Sequence, residues 1–345
     1  MSNPIPLVAL LSLLAACGAP PGPDVLELRG ETMGTDYAVT VVDPPPALTL
    51  TVLEAATAEA LARVDSLMST YREDSELMRF NRSAGTDWFP VAAETALVVG
   101  EALRISELSG GAFDPTIRPL ASLWGFAGFT ATTLPPPDAA LAQARARVDF
   151  RQLRVRSAPP ALRKGRPDLE LDLSGIAKGY AIDLIAERLA AEGARDFLVE
   201  IGGELRASGL NARGEAWRVA VEQPMLDRGR IQSVLELRDE SIATSGSYRN
   251  FTTRGAERFA HILDPETGAP TEHTLVSVSV VAPTAMRADA LATALFALGP
   301  ERGFALAARE RLPVLFLVAA GDHVRERASA PFEARRIKPP ATAER

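Results

Sequence analysis

The chain has 345 residues, enough for one large domain or two lobes, and its 47% hydrophobic content supplies a sizeable core. A net charge of −7 without a long basic run argues against non-specific nucleic-acid binding. The single cysteine, Cys17, excludes an intrachain disulfide.

Leu7 to Ala16 is small or apolar except for Ser12. The run is too short to span a bilayer and suits the core of a signal peptide. It closes on Leu14-Ala15-Ala16-Cys17-Gly18, which resembles a bacterial lipobox. Residues 1–17 are therefore expected to be a lipoprotein signal peptide, with Cys17 acylated and the rest of the chain tethered by lipid. The absence of Lys and Arg from residues 1–6 departs from a usual signal start, and a buried strand with an incidental cysteine is the other reading. Residues 18–24 form a Pro/Gly linker, residues 25–334 the folded domain and residues 335–345 a charged, proline-bearing tail expected to be disordered.

Within the domain, strands are expected at Val25–Gly30 and Asp36–Val42, then helices at Leu50–Ser69 and Thr95–Ser109, the second ended by Gly110-Gly111. A short helix over Ala139–Ala146 precedes a hairpin of Val148–Phe150 with Leu153–Arg156. Residues 157–168 read as a polar loop, Leu169–Leu173 as a strand and Gly179–Gly193 as an amphipathic helix. Further strands fall at Phe197–Ile201, Leu205–Gly209, Arg218–Val221, Ser233–Leu237, Leu275–Ala282 and Pro313–Val318, with helix around 289–298 and 303–309. Strands and helices are interspersed without regular βαβ units, which indicates an α+β class.

Asp289 and Thr293 stand four positions apart in an apolar helical run and so share one helix face. A buried carboxylate is costly unless paired or bound to metal, and a hard cation such as magnesium is one explanation. A helix-start carboxylate with a back-bonding threonine is the other. The segment Asp172 to Gly179 runs from strand through a small-residue turn into a helix, aiming free N–H groups at an anion, with Lys178 beside them. It is neither a Walker A loop nor a dinucleotide fingerprint. His261, one of three histidines, precedes an Asp-Pro turn and suits acid/base work or phosphate contact. Thr244-Ser245-Gly246 offers two hydroxyls, and no Gly-x-Ser-x-Gly elbow is present.

Taken in order, eight segments resemble the FAD:protein FMN transferases of the ApbE family. They are Met33-Gly34-Thr35, Ser69-Thr70-Tyr71 with Ser75-Glu76-Leu77 and Phe80-Asn81, Gly111 to Thr116, Leu171 to Tyr180, Ile201 to Glu204, Ala243 to Gly246, His261 to Gly268, and Ala288 to Thr293. The resemblance implies an ApbE-type fold, with a mixed or antiparallel sheet core flanked by helices in two closely packed lobes. It implies transfer of FMN from FAD to a threonine hydroxyl of an acceptor protein, with release of AMP. Asp289, Thr293 and the Gly175 carbonyl would then bind Mg2+. Met33, Ala112, Phe113, Asp114, Asp172, Lys178 and Leu263 would lie near FAD, and His261 near the transferred phosphate. The general base is either His261 or Asp289. The implied partner is a flavin-bearing subunit of a membrane redox complex, met on the periplasmic side of a bacterial envelope. Ser174 and Ser247 depart from residues common in the family. Hydrolysis of FAD to FMN and AMP would use the same residues, and a flavin-holding lipoprotein without turnover is the third reading.

Overall fold

A computed structural model describes residues 22–126, 135–223, 231–246, 251–254, 257–260, 262–321 and 323–337. Cys17, the signal segment 1–17, most of the linker, His261 and residues 338–345 lie outside the described residues.

In chain order the elements are β1 (Val25–Thr32), β2 (Thr35–Val42), α1 (Leu50–Met68), α2 (Glu76–Arg82), β3 (Phe89–Pro90), α3 (Ala93–Ser109), α4 (Arg118–Leu123), α5 (Asp138–Arg145), β4 (Leu153–Ser157) and β5 (Pro160–Lys164). There follow α6 (Ala177–Ala191), β6 (Asp196–Ile201), β7 (Glu204–Ser208), β8 (Trp217–Glu222), β9 (Ile231–Leu237), β10 (Ser241–Gly246), β11 (Phe251–Arg254) and β12 (Glu257–Ala260). The last are β13 (Leu275–Ala282), α7 (Ala285–Arg309), β14 (Val314–Ala320), β15 (His323–Ala328) and α8 (Ala330–Glu333).

The centre is an eight-stranded antiparallel sheet in the order β1-β2-β6-β7-β10-β13-β14-β15. Strand alternation divides its side chains. Val39, Val41 and Val199 enter the main core with Leu53, Val64, Ile182, Ile185 and Leu295 of the helices. Val42, Leu205 and Ile242 enter a second cluster with Trp217 and Leu235 of the β8–β9 pair. This is the expected α+β architecture. The small sheet β3-β5-β4 sends Leu153 and Leu162 into the same main core, so the two expected lobes share one hydrophobic centre. No helix among the described residues is long and apolar enough to cross a membrane.

Four local expectations are corrected. The hairpin pairs β4 with β5 rather than with Val148–Phe150, where Phe150–Gln152 forms a 3-10 turn. Prolines made 157–168 read as a loop, but Pro160 occupies the first position of β5, where a missing N–H is tolerated. Leu169–Leu173 belongs to no ladder. There the Asn81 amide acts as its neighbour, donating to the Leu171 carbonyl at 2.8 Å and accepting from its N–H at 2.7 Å. Finally, the start of the expected tail is ordered, since Arg335 pairs with Glu240 and Ile337 donates to the Val234 carbonyl at 2.9 Å.

Candidate active site

The candidate site forms where α6 and α7 begin. Gly179 makes this junction possible, because a Cβ there would fall on the Ala285 carbonyl and lie 2.7 Å from Met286 Cα. With no Cβ, the first turn of α6 rests directly on the backbone of α7. Asp289, one turn into α7, is only 3% exposed and accepts the Gly179 N–H at 3.0 Å on Oδ2. That N–H belongs to the first turn of α6, which its own N-cap residue Ile176 leaves without a side-chain partner.

Two further groups meet Asp289 there. Lys178 forms an ion pair with Glu204, at the start of β7. Glu204 is buried, and its Oε2 has no hydrogen-bond partner among the described residues. Burial, and then the Glu204 charge, push the Asp289 carboxyl well above the usual range, while Lys178 and the Gly179 N–H oppose the rise.

One turn further along α7, Thr293 faces Gly175 and Phe113. A Cβ on Gly175 would lie 3.2 Å from the Phe113 ring and 3.3 Å from Thr293 Oγ1. Ser245 Oγ, on β10, lies 3.4 Å from the same hydroxyl. Asp289, Thr293, Gly175, Lys178 and Phe113 are thus brought together from segments far apart in the chain.

Other predicted residues are placed differently. Asp172 accepts the Ser174 N–H at 2.8 Å and so shapes the turn that carries Gly175. Asp114 is buried, with Oδ1 accepting from the Thr116 N–H at 2.8 Å and its hydroxyl at 2.6 Å, and Oδ2 from the Phe150 N–H at 3.0 Å. Its carboxylate is thus occupied by Thr116, in the loop that carries Ala112 and Phe113, and by Phe150. Met33 sits at the β1–β2 turn with φ 50° and is 39% exposed. That turn abuts the β6–β7 turn, where a Cβ on Gly202 would lie 2.9 Å from Thr35. Leu263 is buried in a satellite cluster with Leu120 and Trp124, apart from the α6–α7 junction.

Sequence reasoning assigned no role to Glu204 or Asp183. Asp183 interrupts the buried α6 run Ala181-Ile182-Asp183, and an acid inside such a run was the available signal. Glu204 followed a Gly-Gly turn, and only its partner Lys178 reveals it.

The groups at the junction are rich in oxygen: the Asp289 and Glu204 carboxylates and the Thr293 hydroxyl, with the backbone of Gly175 beside the last. This is the ligand chemistry of a hard cation that keeps waters or substrate oxygens in its remaining positions. No group of three or more His, Cys, Asp or Glu side chains among the described residues has metal-holding geometry. A site here would therefore take its other ligands from hydroxyl, backbone and substrate. The donorless Glu204 Oε2 beside a buried aspartate fits a positive charge as well.

The structure thus defines an α+β protein with an oxygen-donor site at the meeting of two helix starts. The chain belongs to the ApbE family, which matches residues 33–316. A FAD:protein FMN transferase of Vibrio cholerae serotype O1 is 41% identical over 327 residues, covering 95% of this chain and 97% of its own length. The FAD:protein FMN transferase of Escherichia coli strain K12 is 36% identical, with 95% and 96% covered. Among solved structures, the flavin transferase ApbE from Vibrio cholerae matches with a TM-score of 0.83 and 40% identity, covering 91% of this chain and 99% of that one. The apo form of the Pseudomonas stutzeri flavinyl transferase ApbE matches with a TM-score of 0.83 and 36% identity, covering 92% and 98%.

Proposed function

We propose that the chain transfers FMN from FAD to a threonine hydroxyl of an acceptor protein, with Mg2+ bound by Asp289, Thr293 and the Gly175 carbonyl. Its activity is FAD:protein FMN transfer, the activity for which its relatives are named. The observation that carries the metal reading is the convergence of Thr293 Oγ1 on Gly175 beside the buried, donor-poor Asp289.

Bound there, a cation would supply positive charge that neutralises the pyrophosphate oxygens. The chain's own groups hold the two reactants. The turn shaped by Asp172 brings Gly175 beside Thr293, and Lys178 adds a positive charge for the pyrophosphate that Glu204 orients. Phe113, against Gly175, forms a wall of the site. The acceptor threonine Oγ attacks the FMN phosphorus of FAD in line; a new P–O bond forms, the bond to the AMP oxygen breaks, and AMP leaves. Asp289 accepts the Gly179 N–H and would be a ligand of the cation, so His261 would take the threonine proton.

The proposed partner is a flavin-bearing subunit of a membrane redox complex. The proposed location is the periplasmic face of a bacterial membrane, reached through a lipid on Cys17. The test combines the purified chain, FAD, Mg2+ and an acceptor domain bearing the threonine, read by mass spectrometry with Asp289→Ala in parallel. FMN on the threonine that disappears without Mg2+ or in Asp289→Ala is the expected result. Free FMN and AMP beside unmodified acceptor would replace transfer by hydrolysis. Intact FAD throughout would overturn the catalytic account.

A further inference from the structure

The two helices that build the site cap each other. The first N–H groups of a helix have no partner within it. On α6, the Gly179 N–H is taken by Asp289 of α7. On α7, the Ala285 and Met286 N–H groups are taken by Asp183 of α6, at 3.0 Å to Oδ1 and 2.8 Å to Oδ2. The N-cap of α7, Thr284, accepts only the next donor, Arg287, at 3.3 Å. Asp183 is therefore the group that closes the first turn of α7. It is buried, and Arg206 of β7 donates to its Oδ1 at 2.8 Å. Gly179 and Asp183 stand four residues apart on α6, hence on one face, and both bonds cross the same helix contact.

We infer that Asp183 is a positioning residue for the cation site: it fixes the start of α7 and thereby the direction in which Asp289, one turn further on, faces Gly175 and Lys178. The inference deepens the reading of Asp289 as a cation ligand and rests on it. A cap serving stability alone needs one acceptor at the end of its own helix. Here a bidentate carboxylate from the neighbouring helix joins the segment bearing Gly175 and Lys178 to the segment bearing Asp289 and Thr293. Rotation or sliding of α7 against α6 breaks both Asp183 bonds and the Asp289–Gly179 bond together.

The experiment titrates Mn2+, as a probe for the divalent site, into the full chain with saturating FAD and no acceptor, following free Mn2+ by electron paramagnetic resonance. Wild type is compared with Asp183→Asn, which keeps the shape but places an NH2 against one of the two α7 N–H groups. Ser329→Ala is the stability control. Ser329 is buried beyond the far end of α7, where its hydroxyl donates to Leu312 and accepts from Val314, away from the site. Asp183→Asn is expected to raise the Mn2+ half-saturation about tenfold or more, the range for residues that orient metal ligands. Ser329→Ala is expected to lower Tm and leave half-saturation at the wild-type value. Wild-type half-saturation in Asp183→Asn, whatever its Tm, would overturn the inference. Failure of the wild type to bind Mn2+ would overturn the cation reading itself and is a separate result. Should Asp183→Asn not fold, Asp183→Ser retains a short acceptor and is read the same way.

Discussion

Asp114 and Asp289 are both buried aspartates whose carboxyls burial pushes above the ordinary range, yet their surroundings differ. Asp114 is surrounded by donors, two from nearby Thr116 and one from Phe150, 36 positions on. Asp289 has one backbone donor, from Gly179, and a second carboxylate beside it whose Oε2 has no hydrogen-bond partner among the described residues. Burial alone therefore does not mark a site. A carboxylate saturated by donors holds a loop in shape, whereas two adjacent carboxylates short of donors retain a demand for positive charge that a ligand can meet.

The largest expected effect tests whether the α6–α7 contact is as tight as this contrast requires. Gly179→Ala places a methyl group on the Ala285 carbonyl, a backbone atom unable to move aside. It should cost about 3 kcal/mol or more in urea unfolding, at the upper end of overpacking, and FMN transfer should fall below detection. Next, Asp289→Asn should lower FMN transfer at least ~100-fold, since it removes the charged ligand itself. Without metal, its Tm should equal or exceed that of the wild type, because the new NH2 can donate to the orphan Glu204 Oε2. A marked fall in Tm would show Asp289 to be scaffold and erase the distinction from Asp114. Asp114→Asn should behave in the opposite way. Its NH2 must face the Thr116 donors or the Phe150 N–H, costing about 1–3 kcal/mol, while FMN transfer measured well below Tm falls less than in Asp289→Asn.

The smallest effect lies on the scaffold side. Lys164 is buried, donates to the Asn81 carbonyl at 3.0 Å and the Ser83 carbonyl at 2.7 Å, and so secures the asparagine that holds Leu171 beside Asp172. Burial lowers its pKa from 10.5 to about 8. Between those values the unfolded chain holds the proton that the folded chain has released, so stability rises with pH across that window. The neutral amine still has two N–H groups for its two carbonyls. Urea midpoints measured from about pH 8 upward should show this rise in the wild type and lose it in Lys164→Met.

Local pattern made much of this legible in advance. The apolar period of residues 50–69 and the Gly110 stop located α1 and α3, and Gly110 takes the left-handed conformation that ends a helix. Alternation located β2, β6 and β13. The four-residue spacing of Asp289 and Thr293 placed both on one face of α7, since spacing along a helix is a property of the chain itself. Other elements were not legible because their partners are remote in sequence. Leu169–Leu173 has the composition of a strand but bonds to a side chain 90 positions away. Pro160 begins β5 because the adjoining strands accommodate it, and β10 was hidden behind its hydroxyls.

The sequence by itself determined the α+β class, most helices and the shared helix face of Asp289 and Thr293, because periodicity, capping and motif spacing are local. Only the tertiary structure decided which acids are spent on the scaffold and which remain available to a ligand. That depends on donors brought from distant segments: Phe150 to Asp114, Gly179 to Asp289, and Ala285 and Met286 to Asp183. A carboxylate's chemistry follows from the count of donors and charges around it in a low-dielectric interior, and that count exists only once the chain has packed.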